Sequence, residues 1–125
     1  MTAYNLNTGD KAWWIPNGYV WTQPTSTDPM FAGVTLPRQG ATGGQPQVMT
    51  TKTLVIHGTG RQGGGGGDPK LFATDKATGE QVAAVTIPSR TSAVPMTFMH
   101  KGRQYIVFAT GQGANTSLVA LTLPR

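Results

Sequence analysis

Seven side chains in this sequence have the types that acid–base or metal chemistry uses: His57 and His100, with Asp10, Asp28, Asp68, Asp75 and Glu80. A carboxylate can serve as a general base or as a calcium ligand, and clustered histidines can hold zinc. The spacing does not gather them. Two isolated histidines and no cysteine make no zinc site, and His57 sits in an otherwise apolar run that suits a structural role. Asp10 and Glu80 each follow a turn glycine, Asp75 lies inside a turn motif, and Asp28 and Asp68 adjoin prolines in loops. No two carboxylates are paired by sequence. "GTGRQG", from Gly58, fits Gly-x-Gly-x-x-Gly after a strand, but a dinucleotide fingerprint must open a helix. Here it runs into "GGGGDPK", which cannot start one, so a flexible loop is expected.

The elements that must position these residues are written in repeats. "TAYNLNTGDKAWW" at the front returns as "FATDKATGEQVAA", with Ala3, Asn5, Thr8 and Gly9 answered by Ala73, Asp75, Thr78 and Gly79. A second echo links "PQVMTTKTLVIHGTG" to "PMTFMHKGRQYIVFATG", so that Thr59-Gly60 matches Thr110-Gly111 and Ala73 matches Ala120. The period of roughly fifty residues is near that of four-stranded propeller blades. The apolar runs are short, rich in Val, Ile, Leu, Phe, Tyr and Thr, and bounded by turn residues. They predict strands at 2–6 and 11–15, then 47–51, 53–58, 70–75 and 81–87, then 96–99, 104–109 and 118–123. The implied fold is all-β: a partial β-propeller of four-stranded antiparallel blades, about two and a quarter of them. The segments are the end of one blade (1–15), a long loop (16–45), a full blade (46–88) and an incomplete blade (89–125).

In the repeated turn, Asn5 and Asp75 are expected to accept backbone N–H bonds, Thr8 and Thr78 to do so more weakly, and Gly9 and Gly79 to supply positive φ. Trp13 is expected on an outermost strand, packed across the blade edge. Ala83 stands in its place in the second copy and leaves a gap to be filled otherwise.

Composition narrows the function classes. A chain of 125 residues has room for one modest core, and 17 glycines with 9 prolines favour turns over long helices. The net charge of +5 comes from ten basic residues spread almost evenly, with only Lys101 and Arg103 close together. A nucleic-acid stripe needs clustered charge, so no nucleic-acid partner is expected. No apolar run is long enough to span a bilayer as a helix, and the first residues lack the layout of a signal peptide.

Ala-x-Asp-x-x-Thr-Gly-x-x-x-Trp resembles the tryptophan-docking motif of quinoprotein dehydrogenases, which use pyrroloquinoline quinone (PQQ). "LFATDKATGEQVAAVTIP", "PMTFMHKGRQYIVFATGQG" and "LVALTLPR" together resemble the C-terminal blades of the membrane-glucose-dehydrogenase-like branch. The chain departs from that pattern at Asn5, at Ala83 and in the glycine run Gly63–Gly67.

The resemblance implies removal of hydride or electrons from an alcohol or sugar onto PQQ, with Ca²⁺ as Lewis acid and an aspartate as base. It also implies a periplasmic location. In that family the base, the metal ligands and most cofactor contacts come from earlier blades, whose motifs are not in this sequence. The chain reads as about the last quarter of such an enzyme, inactive alone, with the rest of a propeller or its own copies as partner. A stand-alone, self-associating blade protein with a structural or binding role is the second reading, and an open frame upstream of Met1 would separate the two. Loops at 16–45, 59–69 and 110–117 are expected on the cofactor face. "FATGQGA" matches the family's glycine-rich segment near the quinone and makes Gly111, Gln112 and Gly113 the cofactor-edge candidates, a plain tight turn being the alternative. Trp21 is a separate candidate for stacking.

Overall fold

The structure is a computed structural model that describes residues 1–16, 29–33, 47–59 and 68–124. Among the described residues, nine strands form three antiparallel sheets. β1 (Thr2–Tyr4) and β2 (Lys11–Trp14) make a two-stranded sheet. β3 (Val48–Thr50), β4 (Leu54–Gly58), β5 (Lys70–Asp75) and β6 (Gln81–Thr86) pair in sequence order as a four-stranded blade. β7 (Met96–His100), β8 (Arg103–Thr110) and β9 (Ser117–Thr122) form the third sheet. This is a partial β-propeller, as the repeats implied. Among the described residues the only helical pieces are single 3-10 turns, and no helix is long and apolar enough to cross a membrane. Of the expected long loop at 16–45, only Pro16 and residues 29–33 are described, with a 3-10 turn at Pro29–Phe31.

The predicted first strand was two residues too long. β1 stops at Tyr4 because Asn5 belongs to the turn: its carbonyl accepts from Gly9 N–H at 2.7 Å and its Oδ1 from Asn7 N–H at 2.9 Å. The second copy repeats this geometry. Asp75 carbonyl accepts from Gly79 N–H at 2.9 Å, and its Oδ1 accepts from Ala77 and Thr78 N–H at 2.8 and 2.9 Å. Thr8 and Thr78 hydroxyls accept from the backbone N–H two residues on. Both copies carry a register irregularity just before the turn, between Ala3 and Tyr4 and between Ala73 and Thr74.

Trp13 lies on β2, but it reaches beyond its own blade. Its indole N–H donates to Lys76 carbonyl at 2.9 Å, and its ring lies over Gly79. A Cβ at Gly79 would come within 2.8 Å of Trp13 Cδ2, so glycine is required there for clearance as well as for its φ of +80°. The repeated turn is therefore also a docking platform: the indole of one blade seats on the turn of the next. Packing across the blade edge is what the sequence implies for this ring, and a single repeat gives no sign of which residues it meets there.

Blades two and three meet over the main core, built from Ile56, Leu71, Ile87 and Phe108 with Met49, Leu54, Ile106, Val119 and Leu121 around them. Alternation puts Ile56 and Leu71 on one face of blade two, while Val55, His57, Phe72 and Thr74 are buried on the other. On blade three, Ile106 and Phe108 face blade two. Met96, Phe98 and Leu118 alternate to the opposite face, where all three are exposed.

Two measurements follow from this packing. Replacing Gly79 with Ala adds left-handed backbone strain, about 1–3 kcal/mol, and pushes on the Trp13 ring. The same change at Gly9, which has φ of +78° and nothing within 4 Å of a Cβ, adds only the strain. Gly79→Ala should therefore lower the denaturation midpoint more than Gly9→Ala, and the excess should vanish when Trp13 is also Ala; equal effects in the wild-type background would contradict the dock. The exposed face of blade three and the open edge of β9 should drive self-association. Light scattering behind a sizing column should give a mass above that of one chain, whereas a compact, monodisperse monomer with cooperative unfolding would refute this.

Candidate functional site

Antiparallel blades send their connections to two opposite ends. The turns Asn5–Asp10 and Asp75–Glu80, with the β3–β4 and β7–β8 hairpins, lie at one end. At the other lie the β4–β5 and β8–β9 connections and the chain passing from β6 to β7. That second end holds the candidate site.

Its frame is a threonine seam. Thr91, on the link between blades two and three, is fully buried. Its N–H and hydroxyl both donate to Thr59 carbonyl, at 3.2 and 3.3 Å, and it bridges antiparallel to Thr110. Thr59 hydroxyl in turn accepts from Lys70 N–H at 3.2 Å. A Cβ on Gly58 would collide with the Thr91 side chain. Gly58 is the last residue of β4, as the strand expected at 53–58 has it, and is small because the linker crosses against it; residues 60–67, where the flexible glycine loop is expected, lie outside the described residues.

Gly111 follows directly on this seam. Its N–H donates to Arg90 carbonyl at 3.0 Å, its φ is +82°, and a Cβ there would strike Asn115 carbonyl. The chain then folds into the 3-10 turn Gly113–Asn115, closed by Asn115 N–H to Gln112 carbonyl and by the Thr116 hydroxyl to Gly113 carbonyl at 2.8 Å. Gly111 and Gln112 line an open cavity of about 290 Å³ with Ser89, Arg90 and Asn115. Gly113 shapes the turn and is not among those lining residues. The lining residues include an arginine, two carboxamide residues and a serine, side-chain types that can donate to carboxylate or carbonyl oxygens.

Ser89, Arg90 and Asn115 were not singled out from the sequence. The signal was available: "IPSRT" joins a fourth strand to the next first strand, the same class of connection as residues 16–45, and so belongs to the same face. Trp21 and Asp28 lie outside the described residues.

The remaining titratable groups stay apart. His57 is buried, its ring stacked on Phe72 at 5.2 Å between centroids and its Nε2 3.5 Å from Thr74 Oγ1. It is part of the blade-two interior. His100 ends β7 beside the hairpin, at the end opposite the cavity. Among the described residues, no three His, Asp or Glu side chains come together to hold a metal ion.

A family model for PQQ proteins, described as glucose/ethanol/alcohol dehydrogenase, beta-propeller domain, matches residues 1–106. The chain belongs to this family. Among curated proteins and among solved structures nothing matches it. The match covers both copies of the docking turn and ends within β8. Of the cavity residues, Ser89 and Arg90 lie within the matched part of this PQQ-family propeller, and Gly111, Gln112 and Asn115 lie beyond it.

Asp75 does a turn's work in this propeller. The N–H groups of Thr78 and then Ala77 hold its carboxyl below the usual carboxylate range, with a further bond from the Thr78 hydroxyl. Because the folded chain favours the ionised form, this contribution is present above the unfolded value, about pH 4, and is lost as pH falls through the lowered folded value. Asp75→Asn keeps an acceptor oxygen, as Asn5 does, and removes the linked proton. The variant's melting temperature should fall less than the wild type's between pH 5 and pH 3 (roughly the carboxylate range); identical pH profiles would remove this role.

Proposed function

We propose that this chain is a propeller segment of a PQQ-dependent alcohol or sugar dehydrogenase of the membrane-glucose-dehydrogenase-like branch, working in the periplasm. It builds one edge of the cofactor site. The observation that carries this reading is the convergence of Ser89, Arg90, Gln112 and Asn115 on one cavity, at the loop end of a PQQ-family propeller.

The donor set fits the group. PQQ is a flat quinone bearing several carboxylates, and when bound it accepts the two electrons taken from an alcohol carbon. Arg90 would meet a carboxylate by charge-assisted hydrogen bonding, and Gln112 and Asn115 would donate to carboxylate or quinone oxygens. Gly111 keeps the backbone close to the cavity floor, and the Thr59–Thr91–Thr110 seam fixes the two loops against each other. Such an edge orients the cofactor and favours its negative charge. The residues here assign no proton abstraction, and the Ca²⁺ that the family uses has no ligand cluster among the described residues. Base and metal ligands are assigned to other blades of the working enzyme.

Titration of PQQ into the chain, followed by its absorbance, tests the edge. Binding should be saturable and should weaken on Arg90→Ala and on Gln112→Ala, while dye reduction with glucose or ethanol stays absent even with added Ca²⁺. Binding indifferent to both substitutions would remove the assigned edge. Sustained turnover by the chain alone would overturn the assignment of catalysis to other blades.

A further inference from the structure

Blade one reaches blade two through an indole, and blade two meets blade three without one. The strand registers align the two interfaces residue by residue. Leu54 opposes Asp75 as Tyr105 opposes Thr122, and Ile56 opposes Ala73 as Val107 opposes Ala120. Thr122 therefore stands where Asp75 stands, and Leu123 where Lys76 stands. Ala83, opposite Ala73, stands where Trp13 stands opposite Ala3. The seat that Trp13 fills at the first interface is bounded at the second by Ala83, Leu123 and Pro124.

An open-sided cavity of about 490 Å³ occupies that position, with Ala83, Val85, Ile106, Leu121, Leu123 and Pro124 among its walls. Its size lies within the range of small-molecule sites, about 300–1,000 Å³. The hydrogen-bond half of the dock has been retained by another donor. Where Trp13 N–H donates to Lys76 carbonyl, the matching Leu123 carbonyl accepts from the Arg103 guanidinium at 2.7 Å. The apolar half has not been refilled: Val85 is 48 % exposed on the cavity side of β6.

We propose that this cavity binds a neutral, planar, bicyclic aromatic molecule of indole size, seated as Trp13 is seated one interface earlier. The wall is mainly apolar, with Gln104 and Thr122 as its polar members, and selects against charge, since an ion there would lose hydration without gaining a counter-ion; the nearby Arg103 is already held at Leu123. Flatness is selected by the slot between two facing sheets. The Leu123 carbonyl keeps a second lone pair for a ring N–H. The site runs along the facing sheets toward the turn end, shares no lining residue with the Arg90 cavity, and is independent of the PQQ reading.

Saturation-transfer NMR with free indole and the full 125-residue chain tests this whatever the chain's state of association. Saturable transfer to the ring protons is expected. Ala83→Trp, which supplies the indole covalently, should weaken binding at least about tenfold, and the smaller filling in Ala83→Leu should weaken it in the same direction. No saturable transfer with the wild-type chain would overturn the proposal, as would binding that Ala83→Leu leaves unchanged.

Discussion

A propeller blade has two apolar faces and can cover neither by itself. Everything else in this chain follows from how one blade is made to fit the next. Blade two buries Val55, His57, Phe72 and Thr74 on one side and Ile56 and Leu71 on the other, so the same four strands answer to two different neighbours. Shape fit across such a face is unspecific, because flat apolar surfaces slide. The indole of Trp13 gives the first interface a fixed point: a ring over the Gly79 peptide and an N–H on Lys76 carbonyl admit one relative position. The turn that receives it is held by Asp75 and Thr78, which leaves these polar residues with a packing duty.

Between blades two and three the fixed point lies at the opposite end. Thr91 carries no large side chain, yet its N–H and hydroxyl are spent on Thr59 while its backbone pairs with Thr110. A buried linker must satisfy its own backbone polar groups, and here it does so using the ends of β4 and β8. The consequence reaches the candidate site directly. Arg90 and Gly111 flank this seam and are hydrogen-bonded to each other through the backbone, so the loop carrying Gln112 and Asn115 takes its position from the interface itself.

The strands and the repeated turns were legible because each is dictated locally. Alternating apolar residues name a strand, and Asn or Asp before Thr-Gly names a turn whose hydrogen bonds close within five residues. What could not be read was set by contacts between units. Gly79 looks like a turn glycine and is also a seat for the ring of Trp13, which belongs to the preceding blade. Gly58 reads as a strand end, and nothing local shows that Thr91 crosses against it. Arg90 has no motif, and only its position on a crossing linker brings it to Gly111. The candidate cofactor edge was accordingly half legible: Gly111 and Gln112 came from a glycine-rich segment, while Ser89, Arg90 and Asn115 came from topology, and Gly113 turned out to shape the loop from outside the cavity.

The two ends of the blades carry different constraints, and the sequence departures fall accordingly. At the turn end, Asn5 replaces Asp75 without altering the turn, because a carboxamide oxygen accepts the same N–H that a carboxylate does. Ala83 replaces Trp13 where the facing blade carries Thr122, Leu123 and Pro124 at the positions of Asp75, Lys76 and Ala77, and Arg103 donates to the Leu123 carbonyl. At the loop end the repeat reaches only as far as Thr59-Gly60 and Thr110-Gly111, and "IPSRT" and "GQGAN", which are different classes of connection, meet at the seam.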